Sequence, residues 1–123
     1  MDLHGFDQYL EHEDRIVAQR EEDLAAHKER LARQAARLTE VLSALAARRV
    51  WVFGSFARGC VRSDSDLDMA VEGLPYSQDQ LLGIAEQSLG GGLALDLVPW
   101  EAASALLRER ILSEGRVLYE REE

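Results

Sequence analysis

Val50–Val71 reads VWVFGSFARGCVRSDSDLDMAV, and this stretch decides the fold. It opens with four apolar residues, Val50 to Phe53, β-branched or aromatic and closed off by a Gly-Ser pair. Such a run predicts a short buried strand. After Gly54 and Ser55, ten residues lead to Asp66-Leu67-Asp68, where a second strand-like alternation begins. Leu67, Met69 and Val71 fall on one face, and the same period of two places Asp66 and Asp68 on the other. Two carboxylates side by side on one strand repel each other unless cations sit between them. The bland reading is a polar strand face turned to water. It must also explain Asp96, an acid inside the apolar run LALDLV, where an unpartnered carboxylate is costly.

Together, Gly54-Ser55, the ten-residue span, Asp66-Leu67-Asp68 and Asp96 resemble the signature of the minimal nucleotidyltransferases of the DNA polymerase β superfamily. The likeness covers roughly Val50 to Glu120. It implies an α/β (α+β) core, a small mixed sheet flanked by helices, and transfer of a nucleotidyl group from a nucleoside triphosphate to a hydroxyl. On that resemblance Asp66 and Asp68 bind metal, two Mg2+ ions being expected. Asp96 helps hold one metal and orients or deprotonates the acceptor. Gly54 and Ser55 go to the nucleotide phosphates.

Elementary chemistry agrees with those roles. Transfer puts negative charge on the phosphorus oxygens and on the departing pyrophosphate, and divalent cations can hold both attacking and leaving oxygens. Magnesium takes hard oxygen ligands and few protein carboxylates, since phosphates and waters complete its octahedron. Glycine lets backbone approach a triphosphate, and Ser55 has a hydroxyl and an N–H to donate. Arg58 is open between two tasks: reaching phosphate, or steadying the acidic cluster through an ion pair. Arg62 reads as surface.

Two rival motifs fail on their own terms. Gly54-x4-Gly59 has the glycine spacing of a P-loop, but Cys60 and Val61 stand where Lys and Ser or Thr are required. Asp64, Asp66 and Asp68 imitate the opening of an EF-hand, yet Met69 replaces the needed Gly and Pro75 the closing Glu. Asp64 reads as a turn residue. Trp51 and Trp100 are expected in core or rim packing, and Cys60 as an inert thiol.

At 123 residues the chain has room for one domain, and its 46% apolar composition suits a soluble globular protein. No apolar run is long enough to cross a bilayer, the N-terminus lacks a signal-peptide pattern, and one cysteine fits a reducing compartment; cytoplasm is the expected location. A net charge of −9, with both portions acidic, argues against independent nucleic-acid binding and for a protein partner.

Residues 1–48 read as an N-terminal helical extension and 49–123 as the nucleotidyltransferase core. From Phe6 to Ala47 there is no Gly or Pro, and Ala, Leu, Glu and Arg dominate, which predicts a long helix or two with a slight break. Val17, Leu24, Leu31, Leu38 and Leu45 recur every seven residues. Their companion positions are polar early (Glu21, Lys28) and apolar later (Ala35, Leu42). The later half should pack on the core, while the earlier half projects a narrow apolar stripe toward a partner, a second copy or water. His4, His12 and His27 have no metal-ligand spacing and read as solvated. Farther on, Ser77 and Gln80 form a capping box that opens a helix, and Leu93 to Val98 is a third strand. A helix is expected from about Glu101 to Ser113 with Ala103, Leu106, Leu107 and Ile111 inward, Gly115 as its C-terminal stop, and a short edge strand at Arg116 to Tyr119.

The small size leaves no room for the acceptor-binding domains of polymerases or antibiotic-modifying relatives. Stand-alone members resemble the antitoxin (MNT) half of HEPN/MNT toxin–antitoxin pairs. That resemblance implies AMP transfer from ATP to a tyrosine hydroxyl of a HEPN ribonuclease toxin. Two other readings stay open: a binding-only antitoxin with an idle site, and a small-molecule nucleotidyltransferase of aminoglycoside type, with its pocket built between two copies.

Overall fold

The protein is described by a computed structural model covering residues 4–122, with side chains from residue 15 onward. His4 and His12 therefore lie outside the described side chains. The order is α1 (His4–Ala44), β1 (Arg49–Phe53), α2 (Gly54–Arg58), β2 (Leu67–Glu72), α3 (Gln78–Leu89), β3 (Leu95–Pro99), a 3-10 turn (Trp100–Ala102), α4 (Ala105–Glu114) and β4 (Arg116–Glu120).

The four strands form one mixed sheet in the order β3-β2-β1-β4. β1 runs antiparallel to both its neighbours, whereas β2 and β3 are parallel. A parallel pair cannot be joined by a hairpin, so α3 makes the crossover between them. The strand alternation read from the sequence is the alternation of the two cores. Val50, Val52, Leu67, Met69, Val71 and Leu97 face α1 and α3, packing on Leu31, Leu38, Leu42 and Leu81. Trp51, Phe53, Ala70 and Val98 face the other way, against Ile111 of α4. On that second face Trp51 and Trp100 stack with ring centroids 4.7 Å apart, and the Arg108 guanidinium lies 5.0 Å over Trp100.

α1 is a single helix of 41 residues, without the break that its composition also allowed. Of the heptad positions, Leu31 and Leu38 are buried and Val17 is 50% exposed, as expected, but Leu45, just past the end of α1, is exposed as well. The later half of α1 thus shares one apolar cluster with the sheet. No helix among the described residues is long and apolar enough to cross a membrane.

Three expectations are corrected by tertiary contacts. The helix expected from Glu101 instead begins at Ala105, because Ser104 caps it, its Oγ accepting from the Leu107 N–H at 3.1 Å. On that helix Leu106 is 77% exposed rather than inward, and the buried stripe runs through Leu107 and Ile111. Gly115 ends the helix as expected, standing as its C-cap, though not by a left-handed turn, since its φ is −78°. A Cβ there would instead strike the carbonyls of Ile111 and Val52, so glycine lets β4 leave α4 close to β1. His27 is half-buried rather than solvated: its Nε2–H donates to the Ser65 carbonyl at 2.9 Å, and Nδ1 accepts from Arg30 at 3.1 Å. It ties α1 to the loop that delivers Asp66.

Candidate active site

β1 ends at Phe53, and the chain turns at Gly54 into the short α2. Gly54 is buried with φ +72°, a conformation that L side chains rarely adopt. Any Cβ on it would overlap the Asp68 carboxylate. The first glycine of the motif is thus fixed twice, by its backbone angle and by the acid it faces. Ser55 follows, half-buried, and among the described residues its hydroxyl has no hydrogen-bond partner.

Sheet register brings the acids together. Asp68, second residue of β2, lies opposite Phe53 on one side and Asp96 on the other. Asp66 sits just before β2 begins rather than on the strand, and it is exposed. Burial raises the Asp68 carboxyl above its ordinary 3.8, and Asp96, Asp66 and Glu114 push it the same way, while Arg110 opposes them. The side chain of Asp96 is held: its Oδ1 accepts from Gln78 Nε2 at 2.9 Å. Beside it opens a cavity of about 720 Å³ whose walls include Asp96, Gln78, Tyr76, Ala103 and Leu107.

Among the described residues no group of three His, Cys, Asp or Glu side chains stands close enough together to hold a metal ion. The donor set nevertheless suits a hard divalent cation, being all carboxylate oxygen with mutual repulsion that a cation would relieve. Arg58 lies with its Nη1 3.8 Å from Glu114 of α4 and its side chain half exposed, which leaves its reach toward a phosphate open.

Two participants were not found from sequence. Arg110, on α4, is the cation that acts on Asp68, and it also lies 5.6 Å over the Phe53 ring. Gln78, first residue of α3, is aimed at Asp96 by the Ser77 capping box, in which Ser77 Oγ accepts from Gln80 N–H and Gln80 Oε1 from Ser77 N–H. Neither lies within the motif, and only the fold brings them to it.

With this geometry in place, comparison with known families is decisive. The model described as Polymerase beta, Nucleotidyltransferase matches residues 36–123. The chain belongs to that family. Curated protein sequences give no match to it. Among solved structures, this nucleotidyltransferase is similar to a chain of a toxin–antitoxin complex with AMP-PNP, at 21% identity and TM-score 0.59, covering 72% of this chain and 74% of that one. It is similar to a chain of the tri-AMPylated Shewanella oneidensis HEPN toxin in complex with MNT antitoxin, at 18% identity and TM-score 0.54, covering 74% and 73%. A nucleotidyltransferase structure from Sulfolobus solfataricus matches at 19% identity and TM-score 0.53, over 82% and 90%. At such identities the likeness is one of fold.

Proposed function

We propose that this nucleotidyltransferase moves AMP from ATP onto a tyrosine hydroxyl of a HEPN-type toxin and so acts as its antitoxin. The observation that carries the reading is the register of Asp68 beside Asp96 with Gly54 pressed against Asp68. The family supplies the reaction class, and the toxin–antitoxin complexes among its structural likenesses supply the partner class.

Asp66, Asp68 and Asp96 would hold Mg2+, which supplies charge neutralisation at the phosphate oxygens. Gly54 and Ser55 bind the phosphates that leave. The acceptor hydroxyl approaches the α-phosphorus from the side of Asp96, opposite the pyrophosphate, because displacement at phosphorus is in line. The new bond joins the acceptor oxygen to the α-phosphorus, and the bond from that phosphorus to the bridging oxygen of pyrophosphate breaks. The hydroxyl proton passes to Asp96, whose carboxylate Gln78 keeps oriented. Arg58 and Arg110 keep Glu114 paired at the edge of this acidic group.

The test is to incubate the protein with ATP labelled at the α-phosphate, Mg2+ and the helical protein encoded beside it. Label should pass to a tyrosine of that protein, and Asp66→Asn should abolish transfer while the chain stays folded. Equal labelling by the mutant would remove the metal assignment. If Asp66→Asn labels nothing yet still protects cells from the toxin, the antitoxin works by binding alone.

A further inference from the structure

β4 is an edge strand: β1 occupies one side of it, and no described strand occupies the other. Its side chains are unusually apolar for an open edge, with Val117 50% and Leu118 40% exposed. The register to β1 shifts between Val50 and Trp51, and Leu118 is the residue left without a partner. Val117 and Leu118 both line a groove of about 560 Å³ whose opposite wall is the small-residue face of α1, Ala32, Ala36 and Thr39, with Phe56 at its end.

The sequence of the strand, Arg116-Val117-Leu118-Tyr119-Glu120, is self-complementary when read against itself in reverse. Two β4 strands laid antiparallel about Leu118 place each Arg116 opposite the Glu120 of the other copy, with Leu118 meeting Leu118 on the two-fold axis. A parallel arrangement would instead set Arg on Arg and Glu on Glu. Both charges are exposed. Glu120 offers one oxygen to Arg49 at 2.8 Å, which leaves its other oxygen for a second guanidinium. Charged ends commonly protect an edge from pairing. Here their order favours the one register that sets both charged pairs opposite in sign, and a two-fold pair closes without growing into a fibre.

We propose that the β4 edge and the adjoining α1 groove form the interface of a homodimer, with Arg116 of each copy paired to Glu120 of the other. The groove extends the contact past five strand residues, since small side chains on α1 allow apolar groups of the second copy to come close. The interface is small, so a dissociation constant on the order of 10 µM is expected.

Sedimentation of the whole chain across a concentration series tests this. The parent should pass from monomer to dimer. Arg116→Glu and Glu120→Arg should each weaken dimerisation about tenfold or more, because each sets like charges face to face. An equimolar mixture of the two should recover it, since both contacts in the mixed pair are then attractive. Leu118→Asp, which leaves the Arg49–Glu120 pair intact, should also give monomers, and circular dichroism checks that each variant is folded. A parent that stays monomeric at several hundred micromolar (a concentration well above the expected constant) overturns the proposal. So do folded single variants that dimerise like the parent, or a mixture that stays monomeric.

Discussion

The two faces of the sheet are unequal. The face under α1 and α3 is a broad aliphatic layer, with Leu38, Leu42, Val50, Val52, Met69 and Leu81 fully buried. The face toward α4 offers, among the described residues, four buried side chains, Trp51, Phe53, Ala70 and Val98, and at one end it passes directly into Asp68 and Asp96. The first face fixes the strands; the second spends that rigidity on holding like charges together. The carboxylate pair sits on the thinner side because like charges need water and an open edge, which a thick layer would exclude. Stability and reactivity should therefore respond to different substitutions.

The largest effect is expected on the reactive side. Asp68→Asn should lower nucleotidyl transfer by about 10³-fold or more, as loss of a metal-holding carboxylate costs several kcal/mol of barrier. Single-turnover transfer measures it, and a loss of less than tenfold would separate Asp68 from the chemistry. Next comes the aliphatic side, where Leu38→Ala should cost about 3 kcal/mol by leaving a cavity, read as a lower urea midpoint. Transfer per folded molecule should hardly change.

Gly54→Ala joins the two faces and should cost about 2 kcal/mol, because it forces an L side chain into a left-handed turn. It should also displace the Asp68 carboxylate, so denaturation midpoint and transfer rate fall together. If only the midpoint falls, the close approach of Gly54 to Asp68 has no chemical role.

A smaller effect carries the opposite sign. The folded chain raises the Asp68 carboxyl above 3.8, so the group favours folding below that pH, and the benefit is lost as pH rises through its folded value. At neutral pH without metal, Asp68→Asn should therefore raise the melting temperature by about 1–3 °C, a modest gain because water screens a half-buried group. The gain should vanish when both proteins are melted below pH 3.8. Smallest of all, Leu106→Ser should stay within about 0.5 kcal/mol of the parent, since Leu106 lies off the buried stripe of α4.

Local chemistry explains what was legible beforehand. Period-two alternation gave the strands, the Gly54-Ser55 bend and the Asp66-Leu67-Asp68 triplet lie within one stretch, and the Ser77–Gln80 box spans three residues. What stayed hidden arises between distant segments. His27 reaches Ser65 across 38 positions, and Gln78 reaches Asp96 across 18. Arg110 meets Asp68 only because α4 folds under the sheet, and no spacing announces it. Leu106 was expected inward together with Leu107, but adjacent helix residues point about 100° apart, and only Leu107, four residues before Ile111, shares its stripe.

The parallel pairing of β2 and β3 has a consequence for when this protein acquires its reactivity. Asp68 and Asp96 are 28 positions apart in the chain and become neighbours only after α3 has carried the backbone over the sheet. On the proposed function, a nascent or partly opened molecule would have Asp96, the acid assigned to the acceptor hydroxyl, far from Asp68, assigned to metal, and no fragment short of Pro99 would contain the β2–β3 pair. Catalysis on that reading would be a property of the closed crossover alone, and turnover measured during refolding would be a clock for that one topological event.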